Sequence, residues 1–361
     1  TLGAGKSLSI ATATSEAASL AGLVLAGGEI IFDATALSAD TAALSVGTLS
    51  LSEGTARQTI TFANADELVS GRYMLAGSWT TPAGLSLAST GLNNGTATYT
   101  VENGALYMDY VNTMYYTWTG TNWDTDAADA DVAFVADKVA IFETDANVTV
   151  SEAVSASKLI VREGATLTLT ETAALTASSI TVEDGSTLTF ASKKAGYTAA
   201  NITGAGTVEL TLQDSANADW NQKLQLGESF TGTTVLKDGR FTINDSSVGN
   251  ILHLQNGVTG IQVTGAYTFD KQLIVDGTIQ VHQNGGCNLT MNGTVTGSGT
   301  WDRRVNGTLT FNDTVNLGGF TQTNNANAQN IFNAATTLGT LTQSNATTNF
   351  NAGATITTAN I

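Results

Sequence analysis

Four aspartates, Asp124, Asp126, Asp129 and Asp131, crowd the segment DTDAADAD and are the chain's densest set of metal-type ligands. Calcium takes about six to eight oxygens from a flexible loop, and carboxylates at this spacing could supply several of them. The segment lacks the glycine and closing glutamate of an EF-hand and the GGxGxD repeats of calcium-binding β-rolls. A solvated acidic loop is therefore the simpler reading, with calcium as the alternative. Just upstream, Trp118 and Trp123 in YYTWTGTNW could stack on a sugar ring or plug a core, and aromatic side chains more often pack.

A second group, Asp302, Arg303 and Arg304 with His282 about one repeat earlier, could support acid–base cleavage of a polysaccharide. That chemistry needs paired carboxylates, or a carboxylate beside Lys or Arg, on adjacent strands. No second acid falls near Asp302, and His253 and His282 stand alone in strand-like runs, so no catalytic residue is assigned and no enzyme is expected. The pairs Arg303-Arg304 and Lys193-Lys194 read as solvated loop charges. The single cysteine, Cys287, has no disulfide partner and reads as a small buried filler. Calcium aside, no cofactor is called for.

Such residues need a scaffold, and repeats supply it. MNGTVTG, FNDTVNL, FNAATTL and FNAGATI begin at Met291, Phe311, Phe332 and Phe350, with spacings of 20, 21 and 18 (311−291, 332−311, 350−332). Units this short cannot bury an apolar face alone, so they must stack, which turns the phenylalanines into one internal column. In the middle, ASKLIVREGATLTLT from Ala156 recurs as ASSITVEDGSTLTFA from Ala177. Leu159, Val161, Leu167 and Leu169 map onto Ile180, Val182, Leu188 and Phe190, and Gly164 maps onto Gly185. Period-two alternation on both sides of each glycine predicts two short strands, with the glycine turning the corner at positive φ. LVLAGGEIIF from Leu23 and QLIVDGTIQV from Gln272 are looser copies. The fold expected is all-β, a parallel β-helix with a coil period of about 18–22 and an inserted or capping antiparallel hairpin region.

Composition agrees. The chain has 361 residues, one proline (Pro82) and 37 glycines, and its apolar runs are far shorter than the roughly 20 residues of a membrane helix. With 31 acidic against 14 basic residues, a net charge of −17 argues against nucleic acid, which needs a basic stripe. From Thr314 to Ile361 there is no charged residue or histidine. Stacked Asn side chains can hydrogen-bond along a ladder there, with Asn333 and Asn351 a candidate pair. Thr1 in place of Met, with no visible signal peptide, marks a mature form, a fragment or one repeat of a longer chain.

Four segments follow from these patterns: β-helix coils over 1–70, a hairpin region over 71–114, an aromatic and acidic connecting loop over 115–135, and the main β-helix over 136–361. Asn94-Gly95 and Asn103-Gly104 are the tight-turn signals of the hairpin region, flanked by TATYTV and ALYMDYV.

YTWTGTNWDTD, then ADKVAIFETDANVTVSEAVSASKLIV, resembles the autotransporter-associated β-strand repeat proteins of Gram-negative bacteria. So does the order LVLAGGEIIFD, LSADTAALSVGTLSLSEG, QTITFANADELVSGRYMLAG and NGALYMDY. The resemblance covers most of residues 20–190 and implies a β-helical passenger, extracellular or on the bacterial cell surface. An outer-membrane barrel, which that family carries, is not expected within these residues.

Taken together, a non-enzymatic structural element of a surface layer or filament fits best. An adhesin that binds cell-surface glycans through Trp118 and Trp123 is the second reading, and a glycan-cleaving β-helix the third. The two ends suggest how copies would join. FNAGATITTANI followed by TLGAGKSLSIATAT sets Ile10 at a spacing of 21 from Phe350 (361+10−350), one coil period. The C-terminal coil, Phe350–Ile361, would then stack head to tail on the N-terminal coil, Thr1–Thr14, of the next unit.

Overall fold

The computed structural model describes residues 1–11, 18–52, 57–66, 68–79, 85–120, 123–125, 128–132, 134–143, 148–150, 154–169, 175–194, 197–198, 201–212, 223–244, 246–284, 288–304, 306–323 and 327–361. The chain is 67% strand and 1% helix, and the strands stack in parallel as a β-solenoid. It divides into two compact units, 1–116 with 122–133, and 117–121 with 134–361.

In the first unit each coil visits three sheets. Leu2–Gly3, Leu23–Ala26 and Leu49–Leu51 pair in parallel on one side. Ser7–Ile10, Glu29–Asp33, Arg57–Ala63 and Ser86–Thr90 form the second. Ala18–Leu20, Leu44–Val46 and Gly71–Gly77 begin the third. The register aligns Ile10, Phe32 and Phe62, and the last two rings stack 6.1 Å apart. The spacing along this column is 22 (32−10) and then 30 (62−32), longer than in the repeats that announced the fold. The excess lies in corners such as the 3-10 turn Ala34–Ala36, where Asp33 accepts from the Thr35 amide at 3.1 Å.

Residues 71–114 are of two kinds. Gly71–Gly77 and Ser86–Thr90 continue parallel coils, while Gly95–Glu102 and Ala105–Asn112 form an antiparallel hairpin added to the edge of Gly71–Gly77. The hairpin turns at Asn103 (φ 49°) and Gly104 (φ 79°), both left-handed, as a two-residue turn between right-twisted strands requires. Asn112 fastens its end. The Asn112 amide nitrogen Nδ2 donates to Leu68 O at 2.7 Å, and its Oδ1 accepts from the Met114 backbone at 2.8 Å. Burial pushes the Tyr110 phenol up to about 12. Residues 115–135, expected as a loop, include the short strands Tyr115–Trp118, Trp123–Thr125 and Ala128–Val132.

The second unit opens with two sheets that repeat the mapped sequence residue for residue. Leu159 pairs with Ile180 and Val161 with Val182, and Leu167 pairs with Leu188 and Leu169 with Phe190. All of these side chains except Phe190 line the interior at 8% exposure or less, and Phe190 is half-buried. Gly164 (φ 80°) and Gly185 (φ 76°) turn the corner in both coils.

Further on, single strands such as Val295–Arg303, Val315–Gln322 and Thr336–Gln343 wrap two faces and bend at stacked glycines. A Cβ on Gly318 would lie 1.9 Å from Ser298 O, and one on Gly339 2.5 Å from Gly318 O. Only hydrogen fits between coils there. The third face carries Tyr267–Phe269, Leu289–Met291, Gly307–Phe311, Ala328–Phe332 and Thr347–Phe350 in parallel.

Candidate functional site: the stacking columns and the last coil

The third face aligns Phe269, Met291, Phe311, Phe332 and Phe350 in one inward column. Phe311 and Phe332 stack at 4.8 Å, and Phe332 and Phe350 at 4.9 Å, with planes within 18°. Trp301 and Phe320 meet this column edge-on at 5.5 Å, against Phe311 and Phe332 respectively. Such offset and edge contacts suit the ring quadrupole and add to burial.

Beside each of these residues stands the next in sequence, and four amide bonds join them outside the corner. Asn351 Nδ2 donates to Asn333 Oδ1 at 2.7 Å, Asn333 to Asn312 at 2.8 Å, Asn312 to Asn292 at 2.8 Å, and Asn292 to Asp270 at 2.6 Å. The expected Asn333–Asn351 pair is thus the top of a longer ladder, and it lies on the surface rather than in the core. All four amides donate in one direction, so the ladder starts on a carboxylate and ends at Asn351 Oδ1. The repeated phrase alone does not flag Asp270, although Phe269-Asp270 occupies the Phe-Asn position one coil before Met291-Asn292.

The last coil, Thr347–Phe350 and Ala354–Asn360, ends both sheets to which it belongs. Phe350 and Ile356 are half-buried, and Ile361 is 93% exposed. The Phe column and these two sheets reach this coil, and among the described residues no strand pairs beyond it.

The other candidate residues fall as follows. Trp123 is buried and belongs to the first unit, whereas Trp118 is half-buried and belongs to the second, 6.4 Å from the Phe142 ring. Asp124 is half-buried. Asp126 and the side chains of Asp129 and Asp131 lie outside the described residues, as does Cys287. Among the described residues no group of three His, Cys, Asp or Glu side chains could hold a metal.

Asp302 and Arg304 do come together, with Arg304 Nη2 at 2.7 Å and Nε at 2.8 Å from Asp302 Oδ2. Val281 pairs with Arg303, which brings His282 to the neighbouring position beside Arg304. Burial first, then Arg240 and Arg304, hold the His282 imidazole below its usual range, against the pull of Asp302. His253 is not alone, since its Nε2 lies 2.6 Å from Asp276 Oδ2.

Arg303 corrects the sequence reading. It is not a solvated loop charge but a fully buried side chain at the end of Val295–Arg303, two residues after the inward Trp301. Its guanidinium donates to Gln329 O (2.7 Å), Asn330 Oδ1 (2.5 Å) and Gly307 O (2.6 Å). Burial lowers its pKa to about 10, so it stays charged at neutral pH. Gln322 and Gln343 follow it in register, and Asn330 continues the polar strip to Thr348 at 3.0 Å.

No family model, curated protein or solved structure matches this chain. The fold and the columns therefore carry the functional reading by themselves. No helix among the described residues is long and apolar enough to cross a membrane.

Proposed function

We propose that this chain is a non-enzymatic structural module whose last coil stacks head to tail on the first coil of a second copy. The product is a filament or an element of a surface layer. One observation carries the reading: the aromatic column, the amide ladder and two sheet edges all arrive at Phe350–Ile361 with a face open. An open parallel strand edge presents N–H and C=O groups that another strand satisfies at low cost. The first coil offers matching edges, since Leu2–Gly3, Ser7–Ile10 and Ala18–Leu20 are each the end strand of their sheet. Joining the ends places Ile10 one period beyond Phe350. A contact of this kind does not close on itself, so it propagates.

An extracellular or cell-surface location, as in an autotransporter-type passenger, rests on the resemblance of residues 20–190. The acidic, charge-poor surface fits that setting and gives no support to a nucleic-acid partner. Electron microscopy of the purified chain tests assembly: unbranched fibres are expected, and uniform single particles at high concentration would contradict it.

A further inference from the structure

The face that carries the Asn and Phe columns begins abruptly. Among the described residues, Leu224–Gln225 pairs in parallel with Tyr197–Thr198, Ser247 joins Gln225 through an isolated bridge, and the next strand is Tyr267–Phe269. Between them a groove of about 260 Å³ opens, walled by Glu228, Ser246, Ser247, Tyr267, Asp270 and Lys271. All six belong to the second unit.

Asp270, Lys271 and Ser247 are held by hydrogen bonds and still have bonding capacity to spare. Asp270 takes the Asn292 amide on Oδ1, which fixes the carboxylate and leaves Oδ2 open. Lys271 spends one of its three N–H groups on Asn250 Oδ1 at 3.2 Å. Ser247 Oγ accepts from the Gly227 backbone at 3.1 Å, which leaves its hydroxyl hydrogen to donate. Glu228 is exposed and makes no hydrogen bond or ion pair among the described residues.

We propose that this groove binds a neutral sugar residue of a glycan. Two carboxylates with free oxygens suit adjacent sugar hydroxyls, because each oxygen accepts an O–H and none competes as a donor. Lys271 and Ser247 supply donors to hydroxyl or ring oxygens. Tyr267 adds an aromatic edge for the apolar C–H side of a sugar ring. An apolar ligand would strand these polar groups without partners. An acidic sugar or a phosphate would meet two carboxylates against one ammonium. The site is separate from Trp118 and Trp123 and independent of end-to-end stacking.

Saturation-transfer NMR with lactose, maltotriose and chitotriose tests it on the intact chain. Transfer to at least one of them is expected, with a Kd on the order of millimolar. The double variant E228Q/D270N should weaken that binding by about tenfold or more, while Trp118→Ala leaves it unchanged. Both changes in the double variant are isosteric, and Asn at 270 keeps an acceptor for Asn292, so the fold is retained. Four results would overturn the proposal: no transfer to any of the three, undiminished binding in E228Q/D270N, loss of binding in Trp118→Ala, or tighter binding of glucuronic acid than of the neutral sugars.

Discussion

The first coil and the last coil are built from the same parts and treat their apolar residues differently. At the start, Leu2 and Ile10 are only 6% and 4% exposed and belong to the core of the first unit. At the other end, Phe350 and Ile356 are half-buried, and from Ser344 to Ile361 no residue is buried. Among the described residues the first coil buries these apolar side chains and leaves its outer strand edges unpaired. The last leaves both open. In the proposed joint between copies, the hydrophobic gain would come chiefly from the C-terminal coil, and the N-terminal coil would contribute backbone hydrogen bonds and register.

The contrast between an interior coil and the open one can be broken by mutation. Phe332→Ala should cost about 3–5 kcal/mol, because it removes a fully buried ring stacked on both sides. Phe350→Ala should cost well under half of that in the monomer, roughly 1–2 kcal/mol, since one face of the ring is already wet. Urea denaturation compares the two, and equal losses would mean the last coil is covered. Between these two, Arg303→Met should cost about 2–4 kcal/mol, because it leaves one buried and two part-buried oxygens without their donor. Arg304→Ala, one residue on and 53% exposed, should stay within about 1 kcal/mol.

Smaller effects sharpen the same comparison. Asn333→Ala breaks two ladder bonds and Asn351→Ala breaks one, so losses of about 1 and about 0.5 kcal/mol are expected from thermal melting. The smallest is electrostatic. His282 is held below its unfolded pKa, so the unfolded chain binds the proton more readily, and stability falls as pH drops from about 6.5 toward the depressed folded value. Subtracting the pH profile of His282→Gln from that of the parent should isolate this loss below neutrality. Parallel profiles would remove the buried environment assigned to His282.

Much of this was legible in the sequence where copies are clean. The shift from Leu159 to Ile180 is the strand register itself, and Gly164 and Gly185 do turn the corners. Asn103-Gly104 announced the hairpin because few other residue pairs tolerate two positive φ angles. The first unit was harder to read, since corner insertions stretch the step from Phe32 to Phe62 well beyond the repeat length and hide the period.

The candidate residues were least legible. Arg303 stands two positions after Trp301, so alternation points it inward while its charge argues for solvent, and the oxygens that settle the conflict come from the next strand at Gly307 and from the following coil at Gln329 and Asn330. Asp270 hid because the ladder's lowest member must only accept, which a carboxylate does as well as an amide. The groove beside it has no motif at all, because Glu228, Ser247 and Asp270 come from successive coils and meet only when these stack.

Sedimentation velocity over a range of concentrations, for the parent chain and for Ala354→Pro, tests head-to-tail stacking. Thr336 N donates to Gly353 O, so the alternation turns the Ala354 amide toward the open edge, and proline at this exposed first residue of the strand Ala354–Asn360 removes a donor from that edge. The parent is expected to grow with concentration into species beyond a dimer while Ala354→Pro remains a monomer. A parent chain that stays monomeric throughout, or a variant that assembles as the parent does, would contradict that stacking.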